Sequence, residues 1–283
     1  MEATEAALVE ITEHNEQIAG TQTFWRSAPS PEGQSPVLYV HGVPNSSEEW
    51  EPFLARTGGV AIDLPGFGRS DKPNTFDYSI VGYNTFLQAF IGQLEWDRFS
   101  LVVHDWGGLA LVTAQELNDR IDRMVISNSV PLLPGYRWHR TARLWRTPVV
   151  GEFMMGATTK TVAKFLSKES RPNREPWPKD MLDSIWAHFD HGTQRAILRL
   201  YRSAPSDVLA KAGENLGLIE APTLVLWGEQ DPYIPEKFAQ AYADALPNAE
   251  LNLLTDAGHW AWLDRPDMVD ITTDFLQNRN TSI

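Results

Sequence analysis

A chain of 283 residues, 42% hydrophobic and 22% charged, is long enough for one large α/β domain or for a core carrying an insertion. Its 37 acidic against 24 basic residues give a formal net charge of -13, which argues against nucleic acid and anionic lipid as partners. With no cysteine there is no disulfide and no thiolate metal site, and nothing in the sequence calls for a metal or cofactor.

The acidic start Met1-Glu2-Ala3-Thr4-Glu5 lacks the basic and then apolar pattern of a signal peptide. No apolar run approaches the roughly 18 to 20 residues of a membrane-spanning helix, so the expected location is cytoplasmic. Leu8 to Thr12 and Gln22 to Arg26 read as strands of an antiparallel edge, with Gly20 in the turn between them. Pro36 to Val40 is a better strand and runs into His41-Gly42-Val43-Pro44, where glycine and proline end regular structure. A backbone amide after such a strand is one source of an oxyanion hole.

Gly59 to Leu64 reads as the next strand, closed by the loop Pro65-Gly66-Phe67-Gly68-Arg69-Ser70. That loop lacks G-x-x-x-x-G-K-[ST] and is therefore no phosphate cradle. From Ile80 to Leu94 the apolar residues recur at helical spacing and predict a core helix. The stretch from Leu101 to Leu111 then predicts strand, sharp turn and helix, with Asp105 at the apex. Gly107 and Gly108 let the helix backbone closely approach the strand that precedes them. The layout is that of a nucleophile elbow, G-x-S-x-G, with a carboxylate in place of the hydroxyl. A serine attacking saturated carbon would be trapped as an ether. A carboxylate forms an ester instead, which a histidine-activated water can hydrolyse.

After the elbow its helix runs to about Leu117, and Arg123 to Ser127 predicts another buried strand. Strands alternating with helices argue for a mostly parallel, doubly covered sheet. Over 132–216 the sequence shows helical patterns, Trp138, Trp145, Trp177 and Trp186, and no convincing strand. It reads as a helical cap inserted between core strands, leaving 1–131 and 217–283 as the core, and its aromatic residues can wall an apolar pocket. Ala221 to Gly228 resumes the core and leads to Asp231. A helix begins near Pro235, Glu250 to Leu254 is the last strand, His259 follows it, and a helix over Met268 to Phe275 closes the chain. Asp105, Asp231 and His259 thus follow three core strands, whose loops share the ligand-binding edge of a parallel sheet.

Through His41-Gly42-Val43-Pro44, Gly66-Phe67-Gly68-Arg69-Ser70, His104-Asp105-Trp106-Gly107-Gly108, Asp231-Pro232 and Gly258-His259 the chain resembles the α/β-hydrolase superfamily. The likeness is to its Asp-nucleophile branch of haloalkane dehalogenases, epoxide hydrolases and fluoroacetate dehalogenases, and it covers nearly the whole core but fades over 132–216. It implies an α/β-hydrolase fold with Asp105 as nucleophile, His259 as base for water and Asp231 as the carboxylate that orients His259. It also implies that the amides of Trp106 and Val43 hold the oxyanion, and that His104 is a packed structural residue.

Within the branch, haloalkane dehalogenases hold the departing halide with the Trp after the nucleophile plus an Asn in the His-Gly-x-Pro motif or a lid Trp. Trp106 is present, Val43 stands at the motif position, and Trp177 is the lid candidate. Val103, where epoxide hydrolases tend to have a smaller residue, points toward dehalogenases. Epoxide hydrolases need a proton donor for the ring oxygen, and Tyr201-Arg202 resembles the Tyr-Arg pair they carry late in the cap. Tyr201 would be one donor, and Tyr136 and His139 are both candidates for the second. Fluoroacetate dehalogenases hold a carboxylate with Arg after the nucleophile, and Trp106-Gly107-Gly108-Leu109 has none. The reading is an epoxide hydrolase acting on a small apolar epoxide and water, with Trp106 and Trp177 against the substrate, as a monomer or homodimer. A haloalkane dehalogenase is the alternative, and a non-catalytic ligand receptor on the same fold is the third.

Overall fold

The computed structural model describes residues 9–278. Its strands are β1 Thr12–Ile18, β2 Thr21–Ala28, β3 Val37–Val40, β4 Gly59–Ile62, β5 Phe99–Asp105, β6 Ile121–Ser129, β7 Thr223–Gly228 and β8 Ala249–Leu254. They form one eight-stranded sheet in the order β1-β2-β4-β3-β5-β6-β7-β8. The β1–β2 and β2–β4 pairs are antiparallel, and every pair from β4–β3 onward is parallel.

Helices cover both sides. Around the sheet run α1 Glu51–Thr57, α2 Ile80–Gln93, α3 Ala110–Glu116, α10 Lys237–Ala245, α11 Ala261–Asp264 and α12 Met268–Leu276. Side chains of a strand alternate between faces, so a strand covered on both sides must be apolar throughout. Leu38, Val40, Leu101, Val103 and Ile126 join the core under α2 and α3, while Val37, Tyr39, Val102 and Val125 join the core under α1 and α12. This double coverage is why the central strands read as unbroken apolar runs.

Edge strand β1 obeys no such demand. The expected strand Leu8 to Thr12 begins at Leu8, outside the described residues, as does Met1-Glu2-Ala3-Thr4-Glu5, and the observed strand starts where the apolar run ends. Its sequence, TEHNEQI, is almost wholly polar and largely solvated, and β2 supplies the pairing through a tight Ala19-Gly20 turn with both φ angles positive. The sequence reading places no helix at α1, which fills the connection between β3 and β4.

Between β6 and β7 lie α4 Arg140–Arg146, α5 Val150–Ala157, α6 Lys160–Ser167, α7 Lys179–His188, α8 His191–Ser203 and α9 Ser206–Ala212, with no strand among the described residues. No helix of the described residues is long and apolar enough to cross a membrane.

The turn after β5 fixes how these layers meet. Trp106–Leu109 is a 3-10 turn, and a Cβ on Gly107 would stand 2.0 Å from the carbonyl oxygen of Val40. One on Gly108 would stand 3.1 Å from the Cβ of Ser129. The glycine pair thus makes its close approach to β3 and β6, the two neighbours of β5, and not to β5 itself as the sequence suggests. Gly107→Ala must push β3 aside and should cost about 2 kcal/mol. A urea-unfolding midpoint equal to that of the wild type would contradict this packing.

Candidate active site

Asp105 ends β5 at φ 50 and ψ -121, a backbone conformation that costs an ordinary residue roughly 1–3 kcal/mol. Contacts on two sides hold it there. The N–H of Val130 donates to the Asp105 carbonyl at 2.9 Å, and the N–H of Val43 donates to Asp105 Oδ1 at 2.7 Å. The loop after β3 can come this near because Gly42 has no side chain: a Cβ there would stand 2.3 Å from that of Asp105. Of the two amides expected around the carboxylate, Val43's reaches it, whereas Trp106's makes no hydrogen bond to it.

His259 lies in the loop after β8 and spans the two acids. Its Nδ1 is 2.7 Å from Asp231 Oδ2, and its Nε2 is 3.5 Å from Asp105 Oδ2. Its backbone N–H donates to Ser170 O at 3.0 Å, which ties the loop to the segment between α6 and α7. Asp231 is held by more than histidine. Asn128 Nδ2 donates to its Oδ2 at 2.8 Å, and the N–H groups of Tyr233 and Ile234 donate to its Oδ1 at 2.7 and 3.0 Å. These three donors fix the orientation of the carboxylate. Sequence reasoning missed Asn128, whose positive φ at the end of β6 is a conformation asparagine tolerates better than most residues.

Burial would push the Asp105 carboxyl up, but the hydrogen bond and charge of His259, then His104 and the Val43 amide, hold it below the ordinary range. For His259, burial works downward, and Asp231's charge with the hydrogen bonds to both carboxylates lifts it well above the usual histidine value. Behind this pair, His104 Nε2 donates to the carbonyl of His259 at 2.9 Å, and its Nδ1 faces buried Glu49 Oε1 at 3.8 Å. His104 thus braces the histidine loop from outside the cavity.

Asp105 and His259 open on a cavity of about 160 Å³ that the β6–β7 insertion covers. Tyr136, His139, Trp177 and Tyr201 all line it. Trp106 does not: it is stacked behind Trp138 at 5.2 Å and meets the ring of Tyr201 at 5.0 Å, with its indole N–H buried and unpartnered. The indole N–H groups of Trp177 and Trp138 are taken by Ser170 Oγ at 3.0 Å and Ala204 O at 2.9 Å. Trp106 is therefore not placed against a ligand as the sequence suggests, and Trp177 offers a face with its donor already engaged.

Tyr201 projects from α8. Burial first, then the charge of Asp105, pushes its phenol well above the ordinary tyrosine value, with the nearby Trp106 indole working the other way. Tyr136 directs its hydroxyl at Tyr233 O, 3.5 Å away. His139 caps α4, its Nδ1 accepting the N–H of Ala142 at 3.4 Å, and burial lowers its pKa to about 4. A neutral ring that accepts at Nδ1 carries its proton on Nε2.

A profile of the alpha/beta hydrolase fold matches residues 35–266. Epoxide hydrolase 2 of Caenorhabditis elegans is 26% identical over 87% of this chain and 74% of its own length. A haloalkane dehalogenase of Psychrobacter cryohalolentis is 26% identical over 84% of this chain and 82% of its own length. Among solved structures, haloalkane dehalogenase DbeA from Bradyrhizobium elkani superposes with a TM-score of 0.81 at 24% identity, covering 95% of this chain and 98% of that one. That last likeness carries the fold alone.

The electrostatics make one prediction. Asp231→Asn removes the anion that lifts His259 most, so the imidazole should titrate at a lower pH than in the wild type, by NMR of the ring protons. An unchanged midpoint would mean that Asp231 is not what holds His259 charged.

Proposed function

The chain belongs to the alpha/beta hydrolase fold family, and from that premise we propose that it is an epoxide hydrolase converting a small apolar epoxide and water to a vicinal diol. Asp105 Oδ2 attacks a ring carbon and the C–O bond of the ring breaks, leaving an alkyl ester on the enzyme and an alkoxide. Tyr201 supplies the proton of that oxygen from the cap, and the Nε2–H of neutral His139 donates a hydrogen bond to it. Tyr136, its hydroxyl turned to the Tyr233 carbonyl, is the poorer candidate for the second donor.

Ester formation removes the negative charge of Asp105. One of the two carboxylates that hold His259 protonated is then gone and its pKa falls; the proton it gives up makes good the one the cap phenol lost to the alkoxide, and the neutral ring then takes a proton from water. The hydroxide attacks Cγ of Asp105, and the charge gathers on Oδ1, where the Val43 N–H already points. Collapse releases the diol and restores the carboxylate. The two carboxylates around one imidazole thus act as a switch whose setting follows the state of Asp105.

The observation that carries the choice of epoxide is the set of donors around the cavity. Val43 has no side-chain donor, the N–H groups of Trp138 and Trp177 are engaged, and that of Trp106 is buried off the cavity, so the positions from which the resemblance draws halide donors offer none that is free, and only the unpartnered indole of Trp260 on the cavity wall weighs the other way. An alkoxide would meet Tyr201 and His139. The second reading, a haloalkane dehalogenase, draws on the buried indole N–H of Trp106 beside Tyr201 and on that of Trp260 on the cavity wall. The relatives include proteins of both names.

Asp105→Ala should abolish turnover, and His259→Gln should accumulate protein heavier by one substrate, read by intact-protein mass after adding styrene oxide. Tyr201→Phe should slow epoxide opening about 100-fold or more, and His139→Phe should slow it to a smaller degree. Rapid halide release from bromoalkanes by a protein indifferent to styrene oxide would overturn the assignment in favour of the dehalogenase. In the wild type, hydrolysis of the accumulated ester should speed up with rising pH, with a midpoint below the pH at which His259 titrates in the free enzyme. The same midpoint in both states would argue against the switch.

A further inference from the structure

The charge of -13 is unevenly spread. Over 140–168, which spans α4 to α6, the cations Arg140, Arg143, Arg146, Lys160, Lys164 and Lys168 face a single anion, Glu152. Arg146 turns inward to the carbonyls of Tyr201 and Ala204, Lys160 pairs with Asp183, and Glu152 is taken by Arg202. Arg140, Arg143, Lys164 and Lys168 are exposed and enter no ion pair among the described residues.

The same stretch carries most of the exposed apolar surface. Of the 11 large hydrophobic residues exposed among those described, 7 fall within 144–166, and Val149, Phe153 and Phe165 are 78%, 75% and 72% exposed. A scattered exposed leucine needs no explanation, but exposed phenylalanines close in sequence to unpaired cations on three successive helices do. The patch is also continuous with the cavity: Met154 and Thr158 of the α5 segment and Ala163 and Leu166 of α6 line it, and Leu166 is itself 45% exposed.

We propose that the outer face of α4 to α6 docks on an anionic lipid surface, with Phe153, Phe165 and Val149 inserted among the acyl chains and Arg140, Arg143, Lys164 and Lys168 at the headgroups. Apolar side chains flanked by lysine and arginine are what an interfacial helix presents to such a membrane. A second copy of this chain fits less well, because a two-fold contact would set one cationic surplus against another. The strongly acidic remainder of the molecule is repelled by the same lipid and so orients this face toward it. If the proposed chemistry holds, the docked cavity opens where a water-poor epoxide is concentrated; the docking itself does not depend on that chemistry.

Sedimentation of the full chain with vesicles tests this. The wild type should pellet with vesicles of equal parts phosphatidylglycerol and phosphatidylcholine, far less with phosphatidylcholine alone, and less as salt is raised. Phe153→Ser with Phe165→Ser, and separately Lys164→Glu with Lys168→Glu, should each weaken that binding about tenfold or more. Both pairs should leave hydrolysis of dissolved styrene oxide unchanged. A wild type that does not pellet, or pellets equally with neutral vesicles, overturns the proposal. So does a dimer by light scattering that the phenylalanine pair abolishes in a protein without lipid binding, which would give the face to a second copy. Loss of hydrolysis in Asp105→Ala with vesicle binding retained separates this proposal from the enzymatic one.

Discussion

Everything at the site depends on the hydrogen bond from the Val43 N–H to Asp105 Oδ1 and on the backbone that makes it possible. Asp105 adopts a positive φ at the end of a fully buried strand, and the turn after it passes so near Val40 that only glycine fits at 107. The loop after β3 can in turn reach the carboxylate only because residue 42 is also glycine. Three neighbouring strands, β3, β5 and β6, thereby fix one carboxylate with one oxygen held and the other turned to His259. The strain at Asp105 persists because packing on both sides of the sheet leaves the strand no room to relax.

The second constraint is electrostatic. An imidazole between two carboxylates, all nearly dry, is held charged while both are ionised. Asp231 is held by three donors besides His259 and Asp105 by one amide, so Asp231 is the more firmly positioned of the two. That asymmetry follows from how many N–H groups each acid faces.

How much of this is legible in the sequence depends on what each segment must satisfy. The central strands are plain because coverage on both faces demands unbroken apolar runs; Asp105 ends one such strand and Asp231 closely follows another, while His259 lies in the loop after the outer strand β8. β1 is not legible, since a solvated edge strand obtains its pairing from β2 and requires no apolar pattern. Nor are Asn128 and Glu49, which work through contacts with residues distant in the chain. Trp106 is the instructive misplacement. Adjacency to Asp105 suggests contact with ligand, but the side chain points behind Trp138, a residue of the insertion whose packing no local pattern reveals. Likewise, a net charge summed over the chain conceals the cationic, apolar face of α4 to α6.

The central claim is that a carboxylate oxygen of Asp105 becomes part of the product. One turnover of excess enzyme with styrene oxide in ¹⁸O-water, followed by mass analysis of both the diol and the peptide containing Asp105, tests it directly. The account predicts heavy oxygen in the Asp105 carboxylate and an unlabelled diol from that first turnover. Heavy oxygen in the diol with an unlabelled peptide would mean that water attacks the substrate itself, and that Asp105 is not a nucleophile.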